Sequence, residues 1–114
     1  MRTTAIKTEG LKTNPAINTV LADTGATAFD AGNYAVSVHI SASVASRVAL
    51  EFWSADETVE LIRSHRYSLA AGISPPPEFV RNFPFTRPFR IYLKLAVALT
   101  GDIQGTIVVE PPLV

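Results

Sequence analysis

The sequence predicts an all-β protein: a single β-sandwich, jelly-roll-like, of about seven to eight antiparallel strands, entered by an extended N-terminal arm. Three observations carry that expectation. Apolar and polar residues alternate with a period of two over several stretches. Turn-forming residues fall between those stretches, and no long helical pattern is present. With 114 residues the chain has the length of one domain with one core. The expected division is an arm over 1–15 and a sandwich over 16–114.

In chain order, "MRTTAIKTEGLKTNP" is Thr- and Lys-bearing, weakly patterned and ended by Asn14-Pro15, which reads as the arm. Short strands are expected over 17–22 ("INTVLA") and 27–29 ("TAF"), with turns at "DTG" and "DAGN". The first strong strand is "YAVSVHIS": Tyr34, Val36, Val38 and Ile40 share one face, and Ala35, Ser37, His39 and Ser41 the other. In "RVALEFW", Val48, Leu50 and Phe52 oppose Arg47, Ala49, Glu51 and Trp53. Ser54 and Glu57 have the spacing of a helix capping box, but β-branched Thr58, Val59 and Ile62 favour a turn at 54–57. A strand over about 58–70 follows, bulged near Ser64 and His65. In "FRIYLKLAVAL", Phe89, Ile91, Leu93, Leu95 and Val97 oppose Arg90, Tyr92, Lys94, Ala96 and Ala98. "TGD" at 100–102 is short enough to join this strand to "GTIVVE" as an antiparallel hairpin. The closing "EPPLV" cannot extend a central strand.

Residues 72–93, "GISPPPEFVRNFPFTRPFRIYL", hold five of the eight prolines and four of the six phenylalanines. A ligand for polyproline-binding domains needs PxxP, and no two prolines here are three apart. Arg81, Arg87 and Arg90 are too interleaved with apolar residues to anchor a membrane. A stiff strap remains, held by its aromatic side chains to its own fold or to a neighbour's.

Composition narrows function. Ten basic residues offset ten acidic ones with no run of either sign, so no nucleic-acid partner is expected. Charged residues make up 18%, below the usual ~25%. A surface so poor in charge is commonly covered by copies of the chain or by a partner. Without cysteine there is neither disulfide nor thiol nucleophile. No apolar secretory core and no membrane-length run is present, so a soluble protein without a membrane partner is expected. His39 and His65 lack zinc-ligand spacing, and the phosphate-cradling and serine-nucleophile motifs are missing. No enzyme, cofactor or metal is therefore expected. Asp56, Glu57 and Glu60 read as a solvated turn beside Arg63 and Arg66. An active site combining His65 with Glu57 or Glu60 is the least favoured reading.

Two surfaces invite contact. Arg47, Glu51, Arg90, Tyr92 and Lys94 lie on outward faces among small alanines, which suits an oligomer interface and equally a solvated face with cross-strand ion pairs. Trp53 extends that face; with Tyr34 and Tyr92 it is also the best candidate for stacking on a sugar. Phe79, Phe83 and Phe85 of the strap complete the candidate interface.

The stretches "AGNYAVSVHISAS", "VALEFWSADETVELIRSHRYSLAAG" and "FRIYLKLAVALTGDIQGTIVVE" resemble the small β-sandwich decoration, or cement, proteins of tailed bacteriophage capsids. They cover most of residues 31–110. The resemblance implies a structural virion protein made in the host cytoplasm. It would form a homo-oligomer, usually a trimer, that sits on the capsid surface, binds the viral capsid protein and strengthens the shell. A terminal arm would help engage the capsid, here with Arg2, Lys7, Leu11 and Lys12. The alternative is a carbohydrate-binding or host-recognition module centred on Trp53.

Overall fold

The computed structural model describes residues 5–24, 29–74 and 81–110. The described residues form strands and connections with no helix: β1 (Ala5–Thr8), β2 (Lys12–Thr13), β3 (Val20–Asp23), β4 (Gly32–Ala42), β5 (Ser46–Ser54), β6 (Glu60–Leu69), β7 (Gly72–Ser74), β8 (Arg81–Phe85), β9 (Phe89–Leu95) and β10 (Asp102–Glu110).

Every pairing is antiparallel. In the first sheet β10 and β4 are central; β1 and β2 flank β10, and β7 and β8 flank β4. The second sheet runs β3-β9-β5-β6. Counting each pair of short outer strands as one row gives four rows per sheet. Successive rows alternate between the sheets, except that β5 and β6 form a hairpin within the second, as in a jelly roll. The sandwich and its strand count agree with the expectation.

The alternation in sequence becomes the core. Val36, Val38, Val48, Phe52, Ile91, Leu93, Ile103 and Ile107 are fully buried between the sheets. Burial of such side chains stabilises the fold by roughly 1.5–3 kcal/mol each. Ala35 and Ser37 are also buried although they face outward from β4, because central position and small size let neighbouring rows cover them. β6 is bulged twice: Leu50 pairs with His65 but Phe52 with Ile62 and Trp53 with Glu60, so β6 carries two extra residues, the first close to the expected position.

Three readings are refined. The N-terminal segment is extended, but Ala5–Thr8 and Lys12–Thr13 are hydrogen-bonded along β10 as a sheet row. The last two strands are not a hairpin. β9 already has β3 and β5 on its two edges, so residues 96–101 carry the chain over the end of the sandwich into the other sheet. That strand also stops at Leu95, leaving Val97 exposed.

The strap belongs in part to the chain's own sheet. Gly72–Ser74 pairs with the far half of β4 and Arg81–Phe85 with its near half. Pro84 sits in this outer row, where a missing N–H is tolerated. Phe85 and Phe89 turn inward and join Phe29, Tyr34 and Phe52 in an aromatic cluster that closes one end of the sandwich. The Tyr34 hydroxyl donates to the Asp30 carbonyl at 3.0 Å.

Candidate functional site

Period-two alternation sends Arg90, Tyr92 and Lys94 of β9 and Arg47, Glu51 and Trp53 of β5 to the outer face of the second sheet. Register then makes them neighbours: Trp53 lies opposite Arg90, and Glu51 opposite Tyr92. Arg90 binds both carboxylate oxygens of Asp23 at 3.2 Å and reaches Glu57 at 3.1 Å. Lys94 pairs with Glu51 at 3.1 Å, and the Trp53 indole N–H donates to the same carboxylate oxygen at 3.0 Å. The Tyr92 hydroxyl donates to Glu57. Its ring lies between two cations, Arg90 Cζ and Lys94 Nζ, each 5.1 Å from the centroid.

Electrostatics follow from this geometry. Burial pushes the Tyr92 phenol up to about 12, helped by its bond to Glu57 and opposed by Arg90. Burial disfavours the Arg90 charge, but the bonded Asp23 outweighs it and holds that pKa above its ordinary value.

The turn between β5 and β6 delivers Glu57. Its backbone takes a positive φ of 62°, and its N–H donates to the Ser54 carbonyl at 2.8 Å. Ser54 Oγ donates to Asp56 and accepts from the Thr58 and Val59 amides. The Ser54 and Thr58 hydroxyls and the Thr58 amide lower Asp56 to about 2. The capping-box spacing thus builds a polar turn, as the β-branched residues after it require.

These groups hold one another through hydrogen bonds and ion pairs. Among the described residues no three His, Asp or Glu side chains are placed to share a metal ion. His39 is exposed on β4, and His65 packs edge-on against Phe52 with ring centroids 5.7 Å apart. Among the described residues no helix is long and apolar enough to cross a membrane.

A second feature lies at the end of the sandwich opposite the aromatic cluster. Three connections, residues 14–19, 43–45 and 96–101, are tied together there. The Asn14 amide donates to Gly101 at 2.8 Å, Leu99 to Pro15 at 3.0 Å and Ser43 to Asp102 at 2.9 Å. Gly101 has φ 145°, and a Cβ there would meet Ser43 Oγ at 2.6 Å. Beside these loops opens a groove of about 370 Å³ lined by Ala45, Ser46, Arg47, Ser68, Leu69, Val97, Ala98 and Leu99. A smaller one of about 190 Å³ adjoins it through Arg47, Ser68 and Val97 and is also lined by Arg66. Ser46 has the same strand parity as Val48, so its side chain faces inward. It is 94% buried, and its hydroxyl has no partner among the described residues. Such a group costs roughly 1–3 kcal/mol.

The structure therefore brings Arg47, Glu51, Trp53, Arg90, Tyr92 and Lys94 to one face, as expected. Phe85 is not on that face; it is 4% exposed and belongs to the core. Phe83 occupies a β8 position opposite Tyr34. Phe79 and Arg2 lie outside the described residues. Lys7 pairs with Ile107 and Lys12 with Ile103, both along β10, while Leu11 is 63% exposed. Sequence reasoning missed Asp23 and Glu57 as network partners because each looked like a turn residue. It also missed Ser46, whose inward parity with Val48 was the available signal. No family model, curated protein or solved structure matches the chain.

Proposed function

We propose that the protein is a structural virion component: a capsid decoration, or cement, protein that forms a homo-oligomer, trimeric as in the proteins it resembles, and reinforces the assembled shell without catalysing a reaction. The carrying observation is the apolar end of the sandwich. Ile17, Val44 and Val97 project from three loops that are laced to one another, and each is more than a third exposed. Fixed loops bearing exposed aliphatic residues suit contact with other protein, since such area is stabilised when covered. Jelly rolls are a common architecture of capsid and lectin domains. Each copy would bridge neighbouring shell subunits at the virion surface and add stability by mass action.

Size-exclusion chromatography with light scattering tests the assembly. The expected mass is that of a trimer, reduced toward monomer by Ile17→Ser with Val97→Ser. A clean monomer of the unaltered chain at micromolar concentration overturns it. A second reading, carbohydrate or host recognition, draws on the half-buried Trp53 beside Glu51. Glycan-array binding abolished by Trp53→Ala would favour it.

A further inference from the structure

We propose that the groove at Ser46, Arg47, Ser68 and Leu99 binds an extended segment of a partner protein in which an acidic residue adjoins an aliphatic one. The inference goes beyond the decoration reading and shares only Val97 with its apolar end, since Ile17 and Val44 line neither groove.

Charge accounting supplies the first argument. On the outer face of the second sheet, Asp23, Glu51 and Glu57 are all engaged by Arg90 or Lys94. Arg47 and Arg66 have no ion pair among the described residues, and both line the grooves. They are diagonal neighbours, because Arg47 lies opposite Ser68 and Ala49 opposite Arg66. An incoming carboxylate would meet guanidinium groups that have no other claim on them.

Lining chemistry supplies the second. Leu69, Val97 and Leu99 offer an apolar wall for an aliphatic side chain. The unpartnered Ser46 hydroxyl, 94% buried, lines the same groove and adds a hydrogen-bonding group where the wall would otherwise be dry. Shape supplies the third. Two grooves that adjoin through Arg47, Ser68 and Val97 together follow β6 positions 66–69. That run is about 10 Å long, room for about three residues of extended chain.

The test uses the full chain, isotopically labelled, and an acetylated, amidated leucine–aspartate–leucine peptide as probe. Amide shifts are expected to concentrate at residues 45–47, 66–69 and 97–99. Replacing the aspartate of the probe by asparagine is expected to weaken binding about tenfold, as is Arg47→Gln. Arg87→Gln, an exposed change elsewhere, is expected to leave it unaltered. Ser46→Ala is expected to weaken the probe while leaving thermal stability unchanged or raised. The proposal is overturned if no shifts gather at the groove up to about 5 mM peptide. It is equally overturned if Arg47→Gln and Arg87→Gln act alike, or if 4-methylpentanoate binds as tightly as the peptide.

Discussion

Phe85 and Phe89, four residues apart in the chain, stack face to face with ring centroids 3.6 Å apart although they belong to different sheets. The turn between them carries Pro88, and the stack pins the proline-rich connection to the core of its own sandwich. Phe89 also stacks on Phe29 at 5.4 Å and meets Tyr34 edge-on at 5.1 Å. Truncating either ring to alanine should therefore cost about 3–5 kcal/mol in chemical denaturation. The double mutant should fall short of additivity by about 0.5–1.5 kcal/mol. Full additivity would mean that the stack contributes area alone.

The outer-face network should make the fold sensitive to alkali. The Tyr92 phenol is raised from 10.0 to about 12, so the folded state favours its neutral form. That stabilisation is fully present below pH 10 and is lost as pH rises through about 12. Ultraviolet titration of the folded protein should show a late Tyr92 step, moving toward the ordinary value in Glu57→Gln. A late tyrosine that survives that change would remove Glu57 from the cause.

Removing Arg90 should be costly for the same geometric reason. Arg90→Ala strips two hydrogen bonds from Asp23 and one from Glu57. A loss of about 2–3 kcal/mol is expected from urea unfolding, where exposed Arg63→Ala should change stability by less than about 0.5 kcal/mol. Equal effects would show the network to be ornamental to stability.

At the β5–β6 turn, Asp56 should stay ionised far into acid. Its carboxyl is lowered from 3.8 to about 2, so its contribution to folding is present above the unfolded value and is lost as pH falls through about 2. Carbon-detected titration of the Asp56 carboxyl gives the midpoint directly. Thr58→Val, which removes one of the donors, should move it upward. A midpoint near 3.8 in the unaltered protein would contradict the hydroxyl contacts.

Between the sheets, Gly105 occupies a position with no room for a side chain. A Cβ there would lie 2.6 Å from Leu93 Cδ2 and 3.1 Å from Leu21 Cβ, both on the facing sheet. Gly105→Ala should destabilise by about 1–3 kcal/mol through overpacking. Coupling to Leu93→Ala, which vacates the space, should recover part of the loss.

Period-two patterning determined much of this protein. It assigned the inward faces of β4, β5 and β9, because a pleated strand offers only two sides, and it placed Arg90, Tyr92 and Lys94 together on the outer one. The bulge near Ser64 and the turn after Ser54 were legible for similarly local reasons. Tertiary structure decided what strands pair with, since hydrogen bonding between strands leaves no mark on the pattern of either. It drew the N-terminal segment onto β10 and carried β9 over to the opposite sheet from β10, where "TGD" had promised a hairpin. It also turned Phe85 into the core, and brought Asp23 and Glu57 to Arg90 from 67 and 33 residues away. The groove at Ser46 is the same kind of outcome. Its lining comes from residues 45–47, 68–69 and 97–99, segments distant in sequence that only the strand order of the second sheet brings together.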